Sequence, residues 1–186
     1  MAMPGCSNDR SSDEVFVVGD SLTVAATTLP QEMAERDVTL TGVDAVNGRF
    51  TEQGLEVLEE VGPALPEAVL VALGTNDIAG ATERDVEEWV GRARQIVGDE
   101  RRLIWVNVHI EPDREPEEPA LARYVDFNRW LAAAADRHDV EVADWDGWAQ
   151  DNDVRTKEDG IHYDRDASAA RARFYALVVD GDIDTS

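Results

Sequence analysis

A chain of 186 residues with 43% hydrophobic residues can build one domain with a substantial core, and it is too apolar to be disordered despite 31% charged residues. Its formal charge of −23 excludes the basic surface that nucleic acid requires. No apolar run reaches the roughly 20 residues a membrane helix needs.

Lys157 is the only lysine, so arginine carries nearly all the positive charge. That acidity suits solubility in salt, where self-repulsion is screened. Residues 1–14 read as a disordered tail, 15–180 as one domain and 181–186 as a second tail. Cys6 is the only cysteine, which rules out an internal disulfide. Gly5-Cys6-Ser7 matches the front of a bacterial lipoprotein that has lost its signal, although a stray cysteine in a tail is the simpler account. The compartment stays open: extracytoplasmic if a signal sequence precedes this one, cytoplasmic otherwise.

In chain order, Val15 to Val18 predicts a buried strand and Thr23 to Ala26 begins a helical stretch interrupted at Pro30. Val38 to Leu40 predicts a short strand, and Asp44 to Gly48 a polar connection. Gln53 to Val61 is helical, with Leu55 and Leu58 on one face, and Gly62-Pro63 stops it. Ala68 to Leu73 is continuously apolar, as in a strand covered on both faces. Glu83 to Val97 repeats Val86, Trp89, Val90, Ala93 and Val97 at helical spacing. Leu103 to Val106 predicts another buried strand and Glu111 to Pro119 a stiff exposed loop. Ala120 to His138 predicts a helix with Leu121, Tyr124, Val125, Leu131, Ala132 and Ala135 inward. Val140 to Ala143 and Ala167 to Val179 complete the series as strand and helix. Five strand–helix units predict a five-stranded parallel sheet between two helical layers, a three-layer α/β/α sandwich.

Ligands of such sheets sit at the carboxyl ends of the strands. Ser21 follows the first strand in Gly19-Asp20-Ser21-Leu22, beside the backbone N–H groups of an opening helix. That place suits a nucleophile whose reaction creates an oxyanion, and it equally suits ordinary turn and N-cap chemistry. Asn47-Gly48 and Gly74-Thr75-Asn76-Asp77 also follow strands. Asp159 and His162 are three residues apart around Gly160, so the carboxylate can receive one ring N–H and leave the other nitrogen free. No Gly-x-Ser-x-Gly elbow is present.

These four blocks, in this order and across nearly the whole of Val15 to Val179, resemble the SGNH hydrolases, or GDSL-type esterases and lipases. The resemblance implies a flavodoxin-like fold and an esterase of short-chain, acetyl esters. It implies Ser21 as nucleophile, His162 as general base and Asp159 as the residue that orients it. Its oxyanion hole would be the N–H groups of Ser21 and Gly48 with the side-chain amide of Asn76. Val69 to Asp77, Trp105-Val106-Asn107-Val108, Asn128 and Asp144-Trp145 are also similar to the SGNH domains of peptidoglycan O-acetyltransferases. Transfer of an acetyl group to a sugar hydroxyl is therefore the alternative, and a non-catalytic carbohydrate-binding domain the rival class. The expected partner is a small ester or acetylated carbohydrate. Neither cofactor nor metal is expected, since no His, Cys or carboxylate cluster has ligand spacing.

Other residues carry two readings each. His109 either faces the site or sits in a solvated loop, and His138 complements a helix dipole. Trp145 and Trp148 either form a sugar platform or are buried. Asp20 and Asp77 are expected to brace their own turns.

Overall fold

The computed structural model describes residues 12–111 and 123–185. Val15, Val17 and Val18 in β1 (Glu14–Gly19) are completely buried, which a strand achieves only when helices cover both of its faces. The same holds along β3 (Ala68–Ala72) and most of β4 (Arg102–Val106). With β2 (Thr39–Ala45) and β5 (Glu141–Ala143) they form one sheet in the order β2-β1-β3-β4-β5, every neighbouring pair parallel. This doubly wound, flavodoxin-like order is the five-stranded parallel sheet of a three-layer sandwich, as expected.

Alternate strand residues face opposite layers. Val18, Val69, Val71, Leu103 and Trp105 pack with α3 (Thr51–Val61), α4 (Glu83–Val97) and α5 (Tyr124–His138). Val15, Val17, Leu70, Ile104 and Val106 pack with α1 (Ser21–Ala25), α2 (Leu29–Ala34), α6 (Trp145–Asp151) and α7 (Arg165–Asp180). Each large apolar side chain buried this way contributes roughly 1.5–3 kcal/mol. Exposed ion pairs such as Arg84–Glu88 contribute far less.

Several boundaries differ from the sequence reading for identifiable reasons. The strand expected at Val38 to Leu40 runs on to Ala45, into what reads as a polar connection. It is an edge strand with alternating exposure, and Gly42 lies under Phe16, whose ring a Cβ there would approach to 2.8 Å. Pro30 opens α2 near its first turn and does not interrupt a longer helix. Helix α6 was not anticipated, although Asp144 caps it by accepting from the Gly147 N–H and Trp145, Trp148 and Ala149 share one face.

The tails are shorter than expected. Ser12 is buried, and its N–H donates to the Val179 carbonyl. At the other end Ile183 packs on the core, and the Thr185 hydroxyl donates to Glu141. Residues 1–11, with Cys6 and both of its readings, lie outside the described residues, as do most of the loop expected at Glu111 to Pro119 and Leu121. On α5, Val125 and Ala132, expected inward, are exposed. Among the described residues no helix is long and apolar enough to cross a membrane.

Candidate active site

Three loops at the carboxyl edge of the sheet, with the segment before α7, bring the predicted residues together. Gly19 ends β1 and Asp20 caps α1, accepting the Leu22 N–H at 2.9 Å, so Ser21 is the first residue of its helix. Gly19 is required here because a Cβ would lie 2.1 Å from the Thr23 hydroxyl oxygen. After β2, Val46 to Arg49 form a turn closed by the Arg49 N–H, and Gly48 takes φ 72° with open space around it. After β3, Gly74 takes φ 122° beneath the Phe127 ring and delivers Asn76 to the same edge.

The Ser21 Oγ lies 3.1 Å from His162 Nε2, and His162 Nδ1 lies 2.9 Å from Asp159 Oδ2. With Nδ1 protonated to donate to the carboxylate, Nε2 accepts the Ser21 hydroxyl proton. The other Asp159 oxygen accepts the N–H groups of Ile161 and His162, both at 2.9 Å. Burial opposes ionisation of Asp159, but those two N–H groups and the imidazole outweigh it and hold the carboxyl below the usual range. The His162 and Asp159 side chains remain 45% and 48% exposed, so the chain of hydrogen bonds opens to solvent.

Ser21, Val24, Ala25, Asn47, Gly48, Asn76 and His162 line an open depression of about 450 Å³. Neither the Ser21 nor the Gly48 backbone N–H has an acceptor among the described residues. The Asn76 amide donates to the Arg49 carbonyl at 3.0 Å, and its second, long contact to Asp20 Oδ2 is 3.5 Å. A hydroxyl, an imidazole and a carboxylate in this sequence can transfer a proton as the oxygen attacks a carbonyl, with neutral donors beside it.

Arg49 was not singled out in the sequence, where it reads as one more surface arginine. Its buried guanidinium donates to the Gly19 and Asp44 carbonyls at 3.3 and 2.7 Å and pairs with the Asp44 carboxylate at 2.5 Å. It thereby joins the ends of β1 and β2 beside Gly48. Asp77, expected to brace its own loop, instead holds α3 by accepting both the N–H and the hydroxyl of Thr51.

The remaining candidates fall outside the depression. His109 is neither solvated nor at the site. It is buried, with Nδ1 2.6 Å from Asp146 Oδ1 and Nε2 unpartnered among the described residues. Trp145 is fully buried against Trp148, Tyr163 and Phe174, so it offers no sugar platform. Trp148 packs on the same core. His138 ends α5 and contacts Glu87 at 2.8 Å. No group of three or more His, Cys, Asp or Glu among the described residues could hold a metal ion.

The fold and this site define an α/β protein with a serine, a histidine and a carboxylate assembled at the carboxyl edge of a parallel sheet. The model of the GDSL-like lipase/acylhydrolase family matches residues 17–170, and the chain belongs to that family. No curated protein matches its sequence. Among solved structures it is similar to a lipase/acylhydrolase from Enterococcus faecalis, at 18% identity and TM-score 0.73, covering 94% of this chain and 99% of that one. It is similar to the C-terminal catalytic domain of peptidoglycan O-acetyltransferase A from Streptococcus pneumoniae, at 18% identity and TM-score 0.64, covering 95% and 98%. It is also similar to a mutant acetyl-xylooligosaccharide esterase from Geobacillus, at 14% identity and TM-score 0.69, covering 92% and 95%.

Proposed function

We propose that this GDSL-family protein is a serine esterase that hydrolyses short-chain esters, acetyl esters above all, through an acyl-Ser21 intermediate. The observation that carries the reading is the continuous contact from Ser21 Oγ through His162 to Asp159 at the wall of an open depression. Ser21 Oγ attacks the ester carbonyl carbon as its proton passes to His162 Nε2. The new C–O bond leaves an oxyanion, which the Ser21 and Gly48 N–H groups and the Asn76 amide receive. The bond to the alkoxide then breaks, and His162 returns the proton to the leaving oxygen. Water enters, gives a proton to His162 and attacks the acyl carbon, and release of the acid restores the serine.

Asp159, held ionised by its N–H donors, keeps His162 in the working tautomer and stabilises the imidazolium. The site is an open depression and not a tunnel, which supports a small acyl group on a bulky alcohol such as an acetylated carbohydrate. The same openness favours one second reading, transfer of the acetyl group to a sugar hydroxyl instead of water.

Competition for the acyl-enzyme separates the two. The protein is supplied with p-nitrophenyl acetate and increasing chito-oligosaccharide or peptidoglycan fragments, and acetate and acetylated sugar are measured by mass spectrometry. Hydrolysis predicts undiminished acetate with little acetylated sugar. Acetylated oligosaccharide as the main product, dependent on Ser21 and His162, establishes the transferase instead.

A further inference from the structure

Ser21 and His162 come from opposite ends of the chain, on α1 and on the segment before α7. Their 3.1 Å contact needs something beneath it to hold both sides in register. The buried group that touches the surroundings of both is Arg171 of α7. Its side chain is enclosed, and its guanidinium carbon lies 5.0 Å from the Trp145 ring, 5.2 Å from Tyr175 and 6.0 Å from Tyr163. Nε donates to the Tyr175 hydroxyl at 2.7 Å, and that hydroxyl lies 3.4 Å from Thr23 Oγ1 on α1. On the other side, Tyr163 directly follows His162 in the chain and is fixed by the Trp145 indole N–H at 2.9 Å.

We propose that Arg171 is a positioning residue of the esterase site, joining the serine side through Tyr175, Thr23 and Asp20 to the histidine side through Tyr163. The inference rests on the esterase reading above. A guanidinium under an active site is an expensive choice, because a buried charge with an unpartnered nitrogen costs stability. Nη1 has no acceptor among the described residues, and no carboxylate among them forms a direct ion pair with Arg171. A methionine or leucine would fill the aromatic cage at less cost, so the charge has work that packing alone does not explain.

That work falls on Asp20. Its carboxylate holds the α1 N-terminus through the Leu22 N–H, next in the chain to the Ser21 N–H, and reaches the Asn76 amide, so one group touches one of the three expected oxyanion donors and braces the turn that carries another. Burial pushes the Asp20 carboxyl up, and the Arg171 charge is the foremost influence against that rise. The Leu22 N–H, the Thr75 hydroxyl and His162 follow. Asp77, from the loop after β3, and Tyr175, from α7, also face this cluster. Burial likewise opposes the charge on Arg171, but Tyr175, Tyr163 and Asp20 outweigh it. Removing the guanidinium takes away the foremost influence that favours the charged carboxylate, and a neutral Asp20 holds the Leu22 N–H and the Asn76 amide less firmly.

The test uses Arg171→Met, Arg171→Lys and Tyr175→Phe beside wild type and Ser21→Ala, with p-nitrophenyl acetate across pH and urea unfolding in parallel. Arg171→Met is expected to lower kcat on the order of 10-fold to 100-fold with KM little changed, and to move the acid limb of kcat/KM toward higher pH. Arg171→Lys restores the acid limb, because the charge is back. Tyr175→Phe lowers kcat without moving that limb, because it cuts the link to Thr23 and spares the charge. Should Arg171→Met fail to fold, the other two variants decide: wild-type kcat in Tyr175→Phe together with a shifted acid limb in Arg171→Lys overturns the proposal. Wild-type kcat and pH profile in a folded Arg171→Met overturn it directly. Undiminished activity in Ser21→Ala refutes the esterase reading itself, which is a different outcome.

Discussion

The Asn76 amide and the Arg49 carbonyl meet at 3.0 Å, and this hydrogen bond ties the loop after β3 to the loop after β2. It fixes the plane of the side chain, while the amide's contact to Asp20 Oδ2 is long, at 3.5 Å, and can yield to a stronger acceptor beside Ser21. Asn76→Ala is therefore expected to lower kcat on the order of 100-fold with little effect on KM, as for a donor engaged in the transition state. Steady-state kinetics with p-nitrophenyl acetate check this. A change confined to KM means that Asn76 only holds the ground-state substrate.

Arg49 acts on the same donor from behind. Arg49→Met leaves the Gly19 and Asp44 carbonyls short of a donor, at a cost of about 1–3 kcal/mol in urea unfolding. Its kcat is also expected to fall, by less than in Asn76→Ala, and the double variant should resemble Asn76→Ala alone. Fully additive losses in the double variant indicate that Arg49 acts independently of Asn76.

Elements with their own stop and start signals were legible in the sequence, and those shaped by neighbours were not. Helix α4 has the predicted bounds because Thr82 and Asp85 cap each other's backbone at its start and Gly98 ends it. The second half of β2 was missed because Gly42 and Asp44 are poor strand residues and pair there only through β1. In the same way Ser21, Asp159 and His162 were readable as short local motifs. Arg49 and Arg171 were not, since each matters through contacts across 30 or more residues of chain or with a ring cage that only packing assembles.

Asp77 supplies a pH signature. Burial pushes its carboxyl up to about 6, against the Thr51 hydroxyl and N–H that favour its charge, and Asp20 adds to the rise. Its unfolded value is near 3.8, so the folded chain binds the additional proton between these two values. The contribution is fully present below about pH 4 and is lost as pH rises through about 6. Asp77→Asn cannot titrate, so the urea midpoint of wild type relative to this variant should fall between about pH 4 and pH 7. A pH-independent difference contradicts the assignment.

Gly74 tests the loop that delivers Asn76. Alanine there combines φ 122° with a Cβ 2.4 Å from the Phe127 ring, and the expected loss is about 2–3 kcal/mol with reduced kcat. Gly80→Ala, whose Cβ meets nothing within 4 Å, is the control and should stay within about 0.5 kcal/mol of wild type. Equal midpoints for the two variants contradict the steric argument.

Ser21 is the proposed nucleophile, and every step of the reaction passes through its oxygen. Its hydroxyl is partly exposed at a helix start, so Ser21→Ala removes the reacting oxygen with little cost to folding. Turnover of p-nitrophenyl acetate by purified Ser21→Ala, measured beside wild type at matched folded concentration, is the most direct test. Folded Ser21→Ala is expected to release p-nitrophenol at the uncatalysed background. Release at more than about one-twentieth of the wild-type rate by the folded variant contradicts it, because the loss of an acylated nucleophile leaves far less.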